Sequence, residues 1–145
     1  MKNKEKRIPK SEWGPGPWHE EPDEKTWVDS ETGYPCSIRR TDVTGSLCGY
    51  VVVPKGHPAF GEVDADIDVH GGLTYARAKD DGWCFGFDTS HAWDKSPAME
   101  ALLRSLPGLS HLDHERAHED DVYRDMAYVE KEVRSLAKQL KAMEG

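Results

Sequence analysis

From residue 122 onward the apolar positions recur at intervals of four and three: Val122, Met126, Val129, Val133, Leu136, Leu140 and Met143. This spacing predicts a long amphipathic C-terminal helix over residues 120–143, with a single apolar seam three heptads long. Asp120 and Asp121 stand at its expected start and Lys138 and Lys141 near its end, the signs that a helix dipole prefers. The seam either covers a sheet in the same chain or pairs with a second copy in a homodimer. A shorter helix is predicted over 96–106. Ser96 is its N-cap, Pro97 its first residue, and Met99, Leu102, Leu103 and Leu106 form one face before Pro107-Gly108 ends it.

The middle of the chain carries a strand pattern. Tyr34 to Arg40 reads as a short strand and Leu47 to Val53 as a stronger one, apolar on both faces as in a central strand. Asp42-Val43-Thr44-Gly45 supplies the turn between them, and Pro54 and Pro58 end the second because proline cannot donate to a ladder. After an acidic loop from Gly61 to Asp68, residues 72–78 and 83–88 form a β-hairpin. A bend at Asp80-Asp81 sets His70 opposite His91 and Leu73 opposite Asp88. A bend at Asp81-Gly82 sets His70 opposite Trp93 instead.

Upstream, prolines and glycines between Ser11 and Tyr34 deny the chain regular structure, while Trp13, Trp18 and Trp27 carry too much apolar area to leave in water. The expectation is an arm over residues 11–33 that wraps the core and docks its rings, or else exposes them to grip a partner. Residues 1–10 read as a disordered basic tail. Residues 11–145 then form a single α+β domain: a largely antiparallel twisted sheet of about four strands within residues 34–94, and the two helices.

Composition narrows the function classes. The hydrophobic fraction is 37% and the formal net charge −8, with a mean hydropathy of −0.77 and a pI near 5.3. No general nucleic-acid binding is expected, because that needs a basic face against the phosphates. An acidic protein-interaction or inhibitor protein that imitates DNA is one use of such charge, and plain solubility is the other. No apolar run approaches the roughly 20 residues that span a bilayer, and the charged start lacks the apolar stretch of a secretory signal. Cytoplasmic localisation and no membrane association are expected. Cys36, Cys48 and Cys84 show no CxxC spacing and read as reduced, half-buried thiols; a Cys36–Cys48 bridge is the alternative.

The candidate chemistry lies at the base of the hairpin. Its fold-back brings Asp68, His70, Gly71 and Gly72 to the same end as Asp88, His91 and Asp94. His70, Gly71, Gly72, Asp88, His91 and Arg77 are the candidate ligand-binding residues. Asp68, His70, Asp88, His91 and Asp94 are the candidate metal ligands. Imidazole nitrogen with carboxylate oxygen suits a divalent Zn²⁺, Mn²⁺ or Fe²⁺, and such an ion can activate water for hydrolysis. Without metal, a His–Asp pair can act as a general base or contact a small polar molecule. The structural alternative is that Asp88 and Asp94 cap turns and His70 is a satisfied core histidine.

His57 could join this site from the side. Arg39 and Arg77 could clamp a phosphate or carboxylate if their faces coincide, and Tyr50, Tyr75, Trp83 and Trp93 could stack a base or sugar. His111, His114 and His118 form a second group, read as part of a polar linker with metal binding as the alternative.

Several motifs are shared with a known group. These are Trp13-Gly14-Pro15-Gly16-Pro17-Trp18, Gly33-Tyr34-Pro35-Cys36, Asp68-Val69-His70-Gly71-Gly72-Leu73-Thr74-Tyr75, Phe85-Gly86-Phe87-Asp88 with His91, and Tyr123-Arg124-Asp125-Met126-Ala127-Tyr128-Val129. In them the chain resembles small proteins encoded by bacteriophages and prophages. The resemblance implies a genomic setting, the cytoplasm of an infected host, and transfers no catalytic residue. It also implies an accessory role such as sequestering or degrading a nucleotide signal. The expected function is therefore a phage-type accessory protein binding a small polar ligand, such as a nucleotide, in the His/Asp pocket. The alternatives are a metal-dependent hydrolase using the same cluster and an acidic interaction protein.

Overall fold

The structure, a computed structural model, describes residues 8–106 and 121–145. Five strands, β1 (Glu24–Val28), β2 (Pro35–Arg40), β3 (Leu47–Val53), β4 (Tyr75–Lys79) and β5 (Gly82–Asp88), form one sheet in the order β1-β2-β3-β5-β4. Every neighbouring pair is antiparallel. Two helices follow, α1 (Pro97–Ser105) and α2 (Met126–Ala142), so the fold is α+β.

β3 lies at the centre, as its two-sided apolar pattern predicts. Leu47, Val51 and Val53 point to one face and are buried; Cys48, Tyr50 and Val52 alternate onto the other and are half-buried. α2 covers the first face. Val129, Val133, Leu136 and Leu140 are fully buried there, in one cluster with Ile38, Val51, Phe85 and Phe87. Each such side chain stabilises the fold by about 1.5–3 kcal/mol. Of the two uses foreseen for the seam, packing within the chain is the one found, and these four residues offer no surface to a second copy. Close approach of helix to sheet needs Gly49: a Cβ there would lie 2.5 Å from Val133 Cγ2 and 2.7 Å from the Phe87 ring.

α2 begins later than the apolar spacing predicts. The Asp125 carboxylate accepts the Tyr128 backbone N–H and caps the helix, so Met126 is its first residue. Val122 is not part of the helix. It is exposed and forms a parallel bridge with Asp94, its N–H donating to the Trp93 carbonyl. Asp121 also precedes the helix, and Asp120 lies outside the described residues.

α1 buries a different face from the predicted one. Pro97, Ala98, Glu100 and Ala101 are buried, while Met99, Leu102 and Leu103 are only half-buried. The tryptophans decide this. Trp13 and Trp18 dock against Ala98 and Ala101 as a second apolar cluster, where small side chains leave room for indole rings. Ser96 sits at the N-cap position, but its side chain does not cap.

The N-terminal arm docks as expected yet is more regular than expected. It holds 3₁₀ turns at Lys10–Glu12 and Pro17–Glu20 and contributes edge strand β1, a fifth strand. Thr26-Trp27-Val28 supplies the β-branched and aromatic residues a strand favours. A buried Arg40 guanidinium anchors the arm, donating to Glu21 at 3.0 Å, Asp23 at 2.7 Å and the Gly45 carbonyl at 3.0 Å. Tyr123 bonds both Arg40 and Glu21, and the other Glu21 oxygen accepts the Met126 N–H at the start of α2.

The hairpin turns at Asp80-Asp81, with Asp80 at φ 54°, and Gly82 is already paired with Lys79. The three cysteines are free. Cys36 faces α2 and Cys48 the opposite side of the sheet, so no bridge can join them.

Candidate functional site

The hairpin register returns the chain so that the loop before β4 meets the loop after β5. Between them lies Asp94, fully buried, its carboxylate surrounded by N–H donors. His70 Nε2 lies 2.9 and 3.0 Å from its two oxygens. His91 donates its backbone N–H at 3.0 Å and its Nδ1 lies 2.9 Å away, both at Oδ2. Arg124 Nε donates to Oδ1 at 2.9 Å. Burial alone would raise the Asp94 pKa, but hydrogen bonds from His70, Arg124 and His91 outweigh it and hold the group below its ordinary value.

An ionised carboxylate only accepts, so His70 Nε2 and His91 Nδ1 each present a proton to it. The second nitrogen of each ring also has a polar neighbour. His70 Nδ1 lies 2.7 Å from the Tyr128 hydroxyl, and His91 Nε2 lies 3.9 Å from Asp88 Oδ1. Glu132 accepts the His70 backbone N–H at 2.8 Å, tying this loop to α2. The two imidazoles meet edge to face with centroids 5.4 Å apart, and Trp93 stacks on the outer side of His91 at 5.1 Å.

Gly71 makes the approach of His91 feasible. Its φ is +68°, and a Cβ on it would fall 2.2 Å from the ring atoms Cε1 and Nε2 of His91. Gly72, at φ +85°, completes the turn, its N–H donating to the Val69 carbonyl.

The expected residues divide as follows. His70, His91 and Asp94 come together, with one ligand atom from each within 4.8 Å of the others. Asp88 borders this group but is engaged in the turn, accepting from Ser90 N–H and the Thr74 hydroxyl. Asp68 is not in the group: its side chain is exposed, and its backbone pairs with Gln139 of α2. Arg77 lies on the open face of the sheet with its guanidinium over the Tyr75 ring. His57 is buried elsewhere, its Nε2 2.7 Å from the Leu140 carbonyl and its Nδ1 accepting the Ala59 N–H. His111, His114 and His118 lie outside the described residues.

Arg124, Tyr128 and Glu132 were missed as site residues. Tyr128 and Glu132 share a helical face by their four-residue spacing. Nothing in the sequence says that this face meets His70.

No protein-family model, no curated protein and no solved structure matches this chain. No described helix is long and apolar enough to cross a membrane.

Proposed function

We propose that the Asp94 centre is a divalent transition-metal site of the hydrolytic kind, with His70 Nε2, His91 Nδ1 and Asp94 Oδ2 as ligands. The observation carrying this reading is the convergence of both ring nitrogens on the same carboxylate oxygen, at 2.9 Å each. The outer contacts support it. Metal-bound histidines orient through their second nitrogen, and here Tyr128 and Asp88 stand at those positions, while Arg124 holds the other Asp94 oxygen. A tyrosine hydroxyl both donates and accepts, so it serves His70 in either tautomer. Two imidazoles and a carboxylate suit Zn²⁺, Mn²⁺ or Fe²⁺. Three protein ligands leave a coordination position for water, whose pKa the ion lowers toward neutrality for attack on an ester or amide. In the phage setting that the motifs imply, a host nucleotide phosphodiester is a substrate of suitable chemistry.

The test is metal uptake by chelator-stripped protein, followed by calorimetry with Zn²⁺ and Mn²⁺. Stoichiometric binding that falls about a hundredfold or more in His70→Ala and His91→Ala, but survives His114→Ala/His118→Ala, supports the site. Uptake that is absent, or unchanged in His91→Ala, refutes it.

A second reading is favoured by the completeness of the Asp94 hydrogen bonds. In it the centre is metal-free, and His91 Nε2 with the Gly71-Gly72 turn contacts a small polar ligand. This reading predicts that a nucleotide raises the melting temperature in the presence of chelator without being consumed.

A further inference from the structure

Arg124 is the one lysine or arginine that bonds Asp94, and most of its donor capacity is unspent. Its Nε donates to Asp94 Oδ1 at 2.9 Å, while Nη1 and Nη2 donate to no acceptor among the described residues. The arginines that tie this fold together behave differently. Arg40 uses Nε, Nη1 and Nη2 on Asp23, Glu21, Tyr123 and the Gly45 carbonyl, and Arg134 uses the same three nitrogens on Glu130 and Asp29. Holding one oxygen of Asp94 takes a single donor, which leaves the planar fork of Arg124 without a structural task.

The guanidinium is nevertheless held in place. Its Cζ lies 5.1 Å over the Tyr128 ring, whose hydroxyl stands 2.7 Å from His70 Nδ1. The Arg124 side chain keeps 21% exposure while the Asp94 carboxylate beside it is fully buried, so a ligand from solvent can meet the arginine. An ion on Asp94 Oδ2, at the usual distance of about 2.1 Å, shares this carboxylate with Arg124 Nε on Oδ1. The guanidinium and the ion therefore stand side by side.

The charge around them sets a condition. Three carboxylates face the centre: Asp94, Glu132 on the His70 backbone N–H, and Asp88 at 3.9 Å from His91 Nε2. Asp125, next to Arg124, is turned to the Tyr128 N–H instead. With neutral imidazoles the empty centre is negative and repels an anion. A divalent ion beside Arg124 cancels that excess, so an anion is accepted only once the ion is bound.

We propose that the substrate group of this centre is a phosphate ester, with one phosphoryl oxygen on the ion and others on Arg124 Nη1 and Nη2. The proposal rests on the metal site put forward above and narrows its substrates to phosphoryl compounds, excluding amides and neutral esters. A phosphoryl group offers several anionic oxygens to the ion and the fork at once. A neutral carbonyl offers one oxygen and leaves the guanidinium charge unmatched.

The experiment is calorimetry of the full chain carrying one equivalent of Zn²⁺, titrated with inorganic phosphate, acetate and imidazole, and repeated on chelator-stripped protein. Phosphate is expected to bind the loaded chain at least about tenfold tighter than acetate, and the stripped chain not at all. In Arg124→Gln, loaded after its own Zn²⁺ affinity has been measured, phosphate affinity should fall about tenfold or more. Imidazole, a neutral ligand for the same coordination position, should bind that variant as before. Arg124→Lys keeps the charge without the fork and should recover part of the loss.

Phosphate that binds no tighter than acetate, or binds Arg124→Gln unchanged, overturns the proposal. Equal binding to stripped protein overturns it as well. A parallel loss of phosphate and imidazole does the same, since Arg124 then only holds Asp94. Absence of Zn²⁺ uptake by the native chain removes the metal site and this proposal together, whereas uptake with any of the other three outcomes removes this proposal alone.

Discussion

Replacing Asp94 by asparagine tests whether its carboxylate holds the hairpin base together. The side chain is fully buried and faces four N–H groups: His70 Nε2, His91 Nδ1, the His91 backbone N–H and Arg124 Nε. Hydrogen bonds to a charged acceptor are worth about 1.5–3 kcal/mol each. Asparagine keeps one oxygen and turns an NH₂ toward donors that need an acceptor. Arg124, with 21% of its side chain exposed, and His91, with 20%, can recover part of the loss by turning to water. His70, at 7%, cannot. The net expectation is a loss of about 3–5 kcal/mol, the usual cost of breaking a buried charged pair from one side. With a urea m-value of about 2 kcal/mol per molar, the unfolding midpoint falls by about 2 M. Tryptophan fluorescence in urea, with chelator present so that no bound metal contributes, measures it directly. A midpoint shift below about 0.5 M would refute the reasoning, because the donors would then have found acceptors as good as the carboxylate.

Other expectations follow from the same geometry. Gly71→Ala puts a methyl group into the His91 ring at a backbone conformation that alanine resists; it should cost about 1 kcal/mol or more in denaturant unfolding, and, for the metal site proposed above, chelator-competition titration should show affinity falling as His91 is displaced. Leu136→Ala, under the centre of α2, should cost about 2–5 kcal/mol in denaturant unfolding, and a smaller value would mean that the helix is loosely docked. Asp94 has a depressed pKa in the folded state, so its contribution to stability is complete above the unfolded carboxylate value of about 3.9 and is lost as pH falls through the lower folded value. Urea midpoints measured down through that window should fall more steeply for the native protein than for Asp94→Asn. Burial, with Asp29 nearby, pushes the Cys36 thiol up to about 12, and burial pushes Cys84 up to about 11. Neither should react with a disulfide reagent at neutral pH until the protein is unfolded, and prompt labelling of both would show that the sheet opens readily.

Much of the fold was legible because burial leaves a periodic trace in the sequence. The alternation in Leu47–Val53 marked the central strand, and the spacing from Val129 to Leu140 marked the covering helix. The hairpin could be read from its flanking strands, and its bend at Asp80-Asp81 was one of two registers allowed beforehand. β1 was obscured because Pro22 and a run of acids surround a five-residue edge strand whose alternation is shallow. The buried face of α1 was misjudged for another reason. Its leucines have the right spacing, but two tryptophans some eighty residues earlier dock against Ala98 and Ala101 and bury that face instead.

The candidate site divides in the same way. Antiparallel pairing obliges the residues before and after a hairpin to meet, so the sequence alone was sufficient to bring His70 toward His91 and Asp94. It could not exclude Asp68 or Arg77, since a shared end of a hairpin does not specify which way a loop side chain points. Nor could it nominate Arg124, just before α2, or Tyr128 and Glu132 on its first turns, which reach the centre only because this end of the helix packs beside the loop that carries His70. Local pattern determined the elements and the fold-back; the docking of α2 and the N-terminal arm, set by long-range packing that leaves no periodic signal, decided which polar groups surround Asp94 and which face of the sheet stays open.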